Sequence, residues 1–236
     1  MTAKRTRFKA TIGADDPRVA RAAFTLRETA GYLGLPGSTL HSWARPAGGS
    51  TPLITCFPAH SREATVPFIG FAEAYVLSAF RRAGVPMQRI RPAVEVLSSR
   101  IGIEHALASE RLYTDGAEVL YDYASAGGNE ELRGLTVVRT GQRQFAEVVR
   151  EYLKRIAYGG DGWALRVRLP IYGRADVVVD PRRAFGMPVV VRGGARVEDL
   201  VDRFVAGDTI AEIADDFGVP EAEVEDVVRV ATRAAA

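Results

Sequence analysis

The chain has 236 residues, 47% of them hydrophobic and 25% charged, with a formal net charge of +2, a balance that fits folded domains with a real core rather than a disordered or fibrous chain. No apolar run approaches the roughly 20 residues that a membrane helix needs, and the basic start MTAKRTRFKATIGADD lacks the apolar stretch of a secretory signal. A single cysteine, Cys56, excludes an internal disulfide, so a cytoplasmic protein without membrane contact is expected.

Charge is unevenly spread. Residues 1–60 carry eight Lys/Arg against three carboxylates, a net of +5, whereas residues 196–236 carry four Arg against eleven carboxylates, a net of −7. Such ends suit different partners, one of them polyanionic.

After the basic arm with Lys4, Arg5, Arg7 and Lys9, the run Phe24-Thr25-Leu26-Arg27-Glu28 predicts a helix start. Thr25 is the N-cap, Glu28 closes a capping box and Phe24 supplies a hydrophobic staple. This helix ends near Gly34, and a second is predicted from Gly37 to Arg45. Residues 46–67 hold four prolines and a short apolar stretch, Leu53–Phe57, which predicts a strand or wing and then a linker. Two helices follow, at about 71–83 and 86–100, then a hairpin around Asp115-Gly116. From Gln142 to Ile156 one apolar stripe at helical spacing predicts a further helix. Short strands are predicted at 164–169, 176–179 and 189–191, with Trp163 as core. Three helices close the chain: one from Val197 stopped by Gly207, one opened by Thr209 with Glu212 and stopped by Gly218, and one opened by Pro220.

A helix-turn-helix needs a small residue where its helices cross, a glycine in the turn and apolar positions that pack both helices on a third. Ala30, Gly34 and the set Leu26, Leu33, Leu35, Leu40 and Trp43 meet these needs. The second helix then presents Ser38, Thr39, His41, Ser42 and Arg45 outward, short donors and one guanidinium suited to base edges and phosphates. The pattern recurs without gaps: residues 25–45 overlie 209–229, with Thr, Glu, Ala, Gly, Pro and Arg matched at 25/209, 28/212, 30/214, 34/218, 36/220 and 45/229. The outward chemistry inverts, however, to Glu221, Ala222, Glu223, Glu225 and Asp226. Carboxylates facing phosphate are repelled, so the second copy is expected to contact protein rather than DNA.

The stretch FTLRETAGYLGLPGSTLHSW resembles the start of MerR-like regulators, with His41 at a position where those commonly carry an arginine. The stretch from Val177 to Ala231 resembles a small bacterial domain with a strand pair around a DP…G-x-P-v-v-x-G core and a homeodomain-like three-helix unit, common in antitoxins of PIN-domain ribonucleases. That domain's usual arginine falls at Arg196, displaced by Gly194-Ala195. Together the two stretches resemble a VapB-type antitoxin of a VapBC pair, and together they cover about 80 residues. The resemblance implies a PIN-domain ribonuclease toxin and operator DNA as partners, with Arg192 and Arg196 as candidate toxin contacts. The alternative for those two arginines is a plain strand-to-helix turn.

The expected fold is α+β and mainly helical. It comprises an N-terminal MerR-like or winged helix-turn-helix (1–67), a central helical and hairpin region that dimerises (68–160), and a C-terminal module of short strands plus three helices (161–236). A homodimer is expected through the stripes at 71–100 and 142–156, since two-fold dimers match pseudo-palindromic half-sites. No catalytic motif, cofactor or metal site is expected: nucleophile elbow, Walker loop, dinucleotide glycines and H-E-x-x-H are all missing, and His41, His60 and His105 are scattered. Asp208, Glu212, Asp215 and Asp216 suit capping and a solvated face better than a Mg²⁺ site. Tyr113, Tyr121 and Tyr123 suit hairpin packing. A ligand-sensing regulator without a toxin and an adaptor that binds no DNA are the alternative functions.

Overall fold

The computed structural model describes residues 11–46, 48, 50–58, 63–82, 91–92, 94–95, 103–112 and 151–235. Lys4, Arg5, Arg7, Lys9 and His60, most of the 86–100 helix, the Asp115-Gly116 hairpin with its tyrosines, and residues 142–150 lie outside them.

The chain enters through a four-residue helix α1 (Pro17–Ala20), capped by Asp16, whose carboxylate accepts the Arg18 amide. Strand β1 (Ala22–Phe24) pairs antiparallel with β2 (Val66–Pro67). Between them stand α2 (Leu26–Leu33) and α3 (Gly37–Ala44), and after β2 comes α4 (Phe68–Arg82). Phe24 is a strand residue rather than a staple. It is fully buried, edge-on to Tyr32 at 5.8 Å and tilted against Phe71 of α4 at 5.1 Å.

The segment 53–57 forms no strand. It is held irregularly instead, by Leu53 N–H donating to the Trp43 carbonyl (2.8 Å) and Phe57 N–H to the Thr65 carbonyl (2.8 Å). Its other anchor is Glu73, buried in α4, which accepts the Thr55 amide at 2.5 Å and meets His105 Nδ1 at 3.0 Å. Every residue of α4 from Phe68 to Phe80 is buried within one chain. The α4 part of the 71–100 stripe expected to dimerise is thus spent on the internal core, while most of the stripe after Arg82 lies outside the described residues.

The predicted helix at 142–156 does not reach its last residue: residues 151–153 are helical, and Ile156 opens a strand. A four-stranded antiparallel sheet follows in the order β3 (Ile156–Tyr158), β4 (Ala164–Arg168), β5 (Val177–Val179), β6 (Val189–Val190). β3 and β4 pair across the turn at 159–163, with Ile156 opposite Val167. In β4, Ala164 and Val167 are buried while Arg166 and Arg168 face water; in the central strand β5 all three valines are buried, as a strand covered on both faces requires. Trp163, ahead of β4, is fully buried.

The end of the chain is α5 (Val197–Val205), α6 (Ile210–Phe217) and α7 (Glu221–Ala235), which pack on one another. One continuous apolar core runs from Phe24, Leu33 and Trp43 through the sheet valines to Ile213, Val224 and Val227. A polar link joins the ends as well. Arg18 clasps Asp161 and also reaches the Ala164 carbonyl at 3.4 Å. Burial alone would raise the Asp161 carboxyl, but hydrogen bonds from Arg18 and the Trp163 amide outweigh it and hold it below the usual carboxylate range. Among the described residues no helix is long and apolar enough to cross a membrane.

Candidate nucleic-acid interface

The two helix-turn-helix copies repeat each other bond for bond in the backbone. In the first, Glu28 N–H donates to Thr25 Oγ1 (3.1 Å) while Thr25 N–H donates to Glu28 Oε2 (2.8 Å). In the second, Glu212 and Thr209 do the same at 3.3 and 2.8 Å. Each first helix is stopped by a glycine in the left-handed region, Gly34 at φ 63° and Gly218 at φ 62°. The following amides, of Leu35 and Val219, reach back to the Ala30 and Ala214 carbonyls at 2.9 and 3.0 Å. The crossing alanines Ala30 and Ala214 are both buried.

The copies differ in their support. In the first, the third helix comes afterwards, as α4; in the second it comes before, as α5. The first turn is also backed from the far half of the chain. A Cβ at Gly34 would stand 3.2 Å from Arg82 Nη2 and 3.3 Å from Ile171 Cγ2, and that arginine donates to the Leu33 carbonyl (3.2 Å).

Helix α3 buries Leu40, Trp43 and Ala44 and leaves Ser38, His41, Ser42 and Arg45 exposed along one face. Thr39 is half-buried, and its hydroxyl accepts a hydrogen bond from Arg81 Nη1 at 2.5 Å. Ser42 Oγ donates within the helix to the Thr39 carbonyl (2.7 Å), which leaves its lone pairs outward. Arg81 was not a sequence candidate, because it comes from a helix some 40 positions away; the one signal was the basic last turn of α4, Arg81-Arg82. Short hydroxyls, an imidazole and two guanidiniums on one exposed ridge are the groups that grip phosphates and base edges.

Helix α7 is built otherwise. Asp226, which occupies the position of the exposed Ser42, is not on the surface: it is 5% exposed and accepts the backbone amides of Arg174 (2.7 Å) and Ala175 (3.0 Å). Burial would raise this carboxyl, but the amides of 173–175 outweigh it and hold it below the usual range. The loop between β4 and β5 therefore covers part of the face with which α7 would read DNA. The remaining acids are largely matched within the chain, Glu225 with Arg229 (2.7 Å) and Arg174 (3.8 Å), Glu223 with Arg192 (3.8 Å). Loop cover at Asp226, added to the exposed carboxylates Glu221 and Glu225, distinguishes the second copy from the first.

Arg192 and Arg196 lie near the start of α5. Arg196 holds Asp199 (2.9 Å from Nε) and approaches Glu198 (3.8 Å), both in the first turn of α5, while Arg192 is largely exposed beside Glu223. Between them Gly193 is required by close approach, since a Cβ there would fall 2.3 Å from the Phe217 carbonyl oxygen. Of the four acids at and before α6, Glu212 caps the helix, Arg203 bridges Asp208 and Asp216, and Asp215 is exposed on the helix surface. Among the described residues no three His, Cys, Asp or Glu groups converge as a metal site would require.

Comparison with known proteins agrees with this organisation. Residues 22–94 match a family described as "Putative DNA-binding HTH domain", and residues 177–230 match one described as "Protein of unknown function (DUF433)". The first match takes in α4, the helix that completes the first copy. The chain is 46% identical over 223 residues to "Putative antitoxin VapB45" of Mycobacterium tuberculosis (strain ATCC 25618 / H37Rv), covering 87% of this chain and 92% of that protein. The crystal structure of Rv2018 from Mycobacterium tuberculosis superposes with a TM-score of 0.77 at 45% identity, over 89% of this chain and 99% of the other. The chain belongs to the VapB-type antitoxin family, as a member with an N-terminal helix-turn-helix domain.

Proposed function

We propose that the protein is the antitoxin of a type II toxin–antitoxin pair, which neutralises a PIN-domain ribonuclease by direct binding and represses the shared operon through its first helix-turn-helix. The observation that carries the DNA half is the contrast between two equivalent helices: α3 keeps an exposed ridge of Ser38, His41, Ser42 and Arg45, while the matching face of α7 shows Ala222 and Glu225 and has Asp226, the counterpart of Ser42, covered by the 173–175 loop. One end is thereby left for a polyanion and the other for protein, in keeping with the opposite charges of the two ends. The toxin half rests on family membership. A homodimer places two α3 helices on successive half-sites, with an interface outside the buried α4.

The test is a titration of the full-length chain with the DNA upstream of its own gene, and separately with the PIN-domain protein encoded beside it, alongside a ribonuclease assay. The expected result is salt-dependent binding to that DNA and loss of RNA cleavage at one equivalent of antitoxin. Cleavage that persists in a stable complex would refute neutralisation, and DNA binding insensitive to Arg45→Glu would refute the assignment of α3.

A further inference from the structure

The loop joining β5 to β6 places an aromatic side chain where the fold has no use for it. Asp180, buried at the loop's start, accepts the Arg182 amide (2.9 Å) and takes that residue's guanidinium at 3.0 and 2.8 Å, which folds the chain back on itself. The Arg183 amide donates to the Asp180 carbonyl (2.9 Å), that of Gly186 to the Arg183 carbonyl (2.8 Å) and that of Met187 to the Ala184 carbonyl (2.9 Å). The loop is seated on the first domain as well: a Cβ at Gly186 would be 3.8 Å from the Ala23 Cβ. On this fixed base the backbone runs through three successive positive φ angles, Ala184 at 45°, Phe185 at 55° and Gly186 at 88°. A glycine would take the middle position without strain. The chain instead carries Phe185, which is 82% exposed, the most exposed large apolar side chain among the described residues.

A strained backbone holding an unburied phenyl ring is not explained by packing, and strain of this kind clusters where a residue must be presented. The approach to it is basic: Arg183 is exposed and makes no ion pair among the described residues, and Arg182 is exposed though paired with Asp180. An exposed aromatic two residues after an arginine pair has the composition of a binding hot spot. The amides of Arg182, Arg183, Gly186 and Met187 are spent inside the loop, so the turn lacks the run of free backbone donors by which a loop cradles a phosphate, and a protein partner is favoured over DNA.

We infer that the Arg182–Gly186 turn is the protein-docking anchor of the molecule, inserting the Phe185 ring into an apolar recess of the partner whose rim carries carboxylates for Arg183. This rests on the antitoxin reading, the partner then being the toxin, and it moves the expected contact from Arg192 and Arg196 to this turn.

The test uses the full-length chain and the PIN-domain protein encoded beside it, with Phe185→Gly as the variant. The glycine relieves the positive φ and removes little packing, so the melting temperature should hold or rise while toxin affinity falls about 10- to 100-fold. Arg183→Glu should slow association, most of all at low salt. Equal toxin affinity for Phe185→Gly and wild type overturns the inference, as does a lowered melting temperature, which would make the ring a structural residue. Loss of DNA binding with toxin binding intact also overturns it and assigns the turn to nucleic acid. If the wild-type chain itself fails to bind the toxin, the antitoxin reading falls first and this inference with it.

Discussion

Asp226→Ala removes the acceptor for two backbone amides at once. In the folded chain Asp226 receives the Ala175 amide at 3.0 Å in a buried bond and the Arg174 amide at 2.7 Å in a half-buried one, and it lies 3.5 Å from Arg229. A buried donor left without a partner costs about 1–3 kcal/mol, and the half-exposed one costs less because water can reach it. The two together should destabilise the protein by about 2–4 kcal/mol. For a chain of this size each kcal/mol is roughly 2–4 °C, so the melting temperature should drop by about 5–15 °C. Asp226→Asn keeps one acceptor and should fall between the variant and the wild type. Glu225→Ala, on the exposed neighbour, serves as the control; its surface ion pairs are worth less than about 1 kcal/mol. Urea and thermal unfolding followed by circular dichroism measure all three. An Asp226→Ala chain within about 0.5 kcal/mol of wild type, or no worse than Glu225→Ala, would mean that this carboxylate does not close the α7 face.

Gly34→Ala and Gly218→Ala share a left-handed conformation, which costs an L-residue about 1–2 kcal/mol, but only Gly34 has close neighbours, Arg82 Nη2 and Ile171 Cγ2; Gly34→Ala should therefore lower the urea midpoint further, and equal midpoints would refute the packing of that turn. His41→Arg on the exposed ridge of α3 should tighten binding to the operator and steepen its salt dependence by about one unit of slope, and Arg45→Ala should do the reverse; filter-binding titrations over a range of salt concentrations would expose either failure. Asp16, Asp161, Asp180 and Asp226 are all held below their ordinary value of 3.8, so their stabilisation is full above that value and is lost as pH falls through the lower folded values. Burial would lower His105, but Glu73 outweighs it and holds the imidazole above its ordinary 6.5, so its contribution is full below 6.5 and is lost as pH rises through the folded value. Stability should consequently be greatest between these two values, and His105→Asn should abolish the alkaline decline; a decline unchanged in that variant would assign it to another group.

The sequence by itself determined the paired helix-turn-helix units and the family. Thr25 with Glu28, Thr209 with Glu212, Gly34 and Gly218 act over three or four residues, so their bonds form wherever those residues occur, and the spacing alone foretold both caps and both stops. The exposure of Ser38, His41, Ser42 and Arg45 followed equally from the 3.6-residue period once Leu40 and Trp43 were placed inside. The valine strands β5 and β6 and the apolar start of β4 were legible from their composition. What only the tertiary structure decided is which outward position stays outward. Ser42 and Asp226 hold equivalent places in equivalent helices, yet one faces water and the other is sealed by a loop 50 residues upstream. The same holds for Phe24, drawn into a strand by a partner 40 residues on, for the apolar stripe of α4, consumed within one chain, and for Arg81, delivered beside Thr39 from a distant helix. Phe185 is the converse case, an aromatic that composition would put in a core and that the turn at Asp180 holds in solvent. Caps and turns depend on neighbours along the chain, whereas burial depends on which remote segment arrives to cover a face, and no local pattern encodes that arrival.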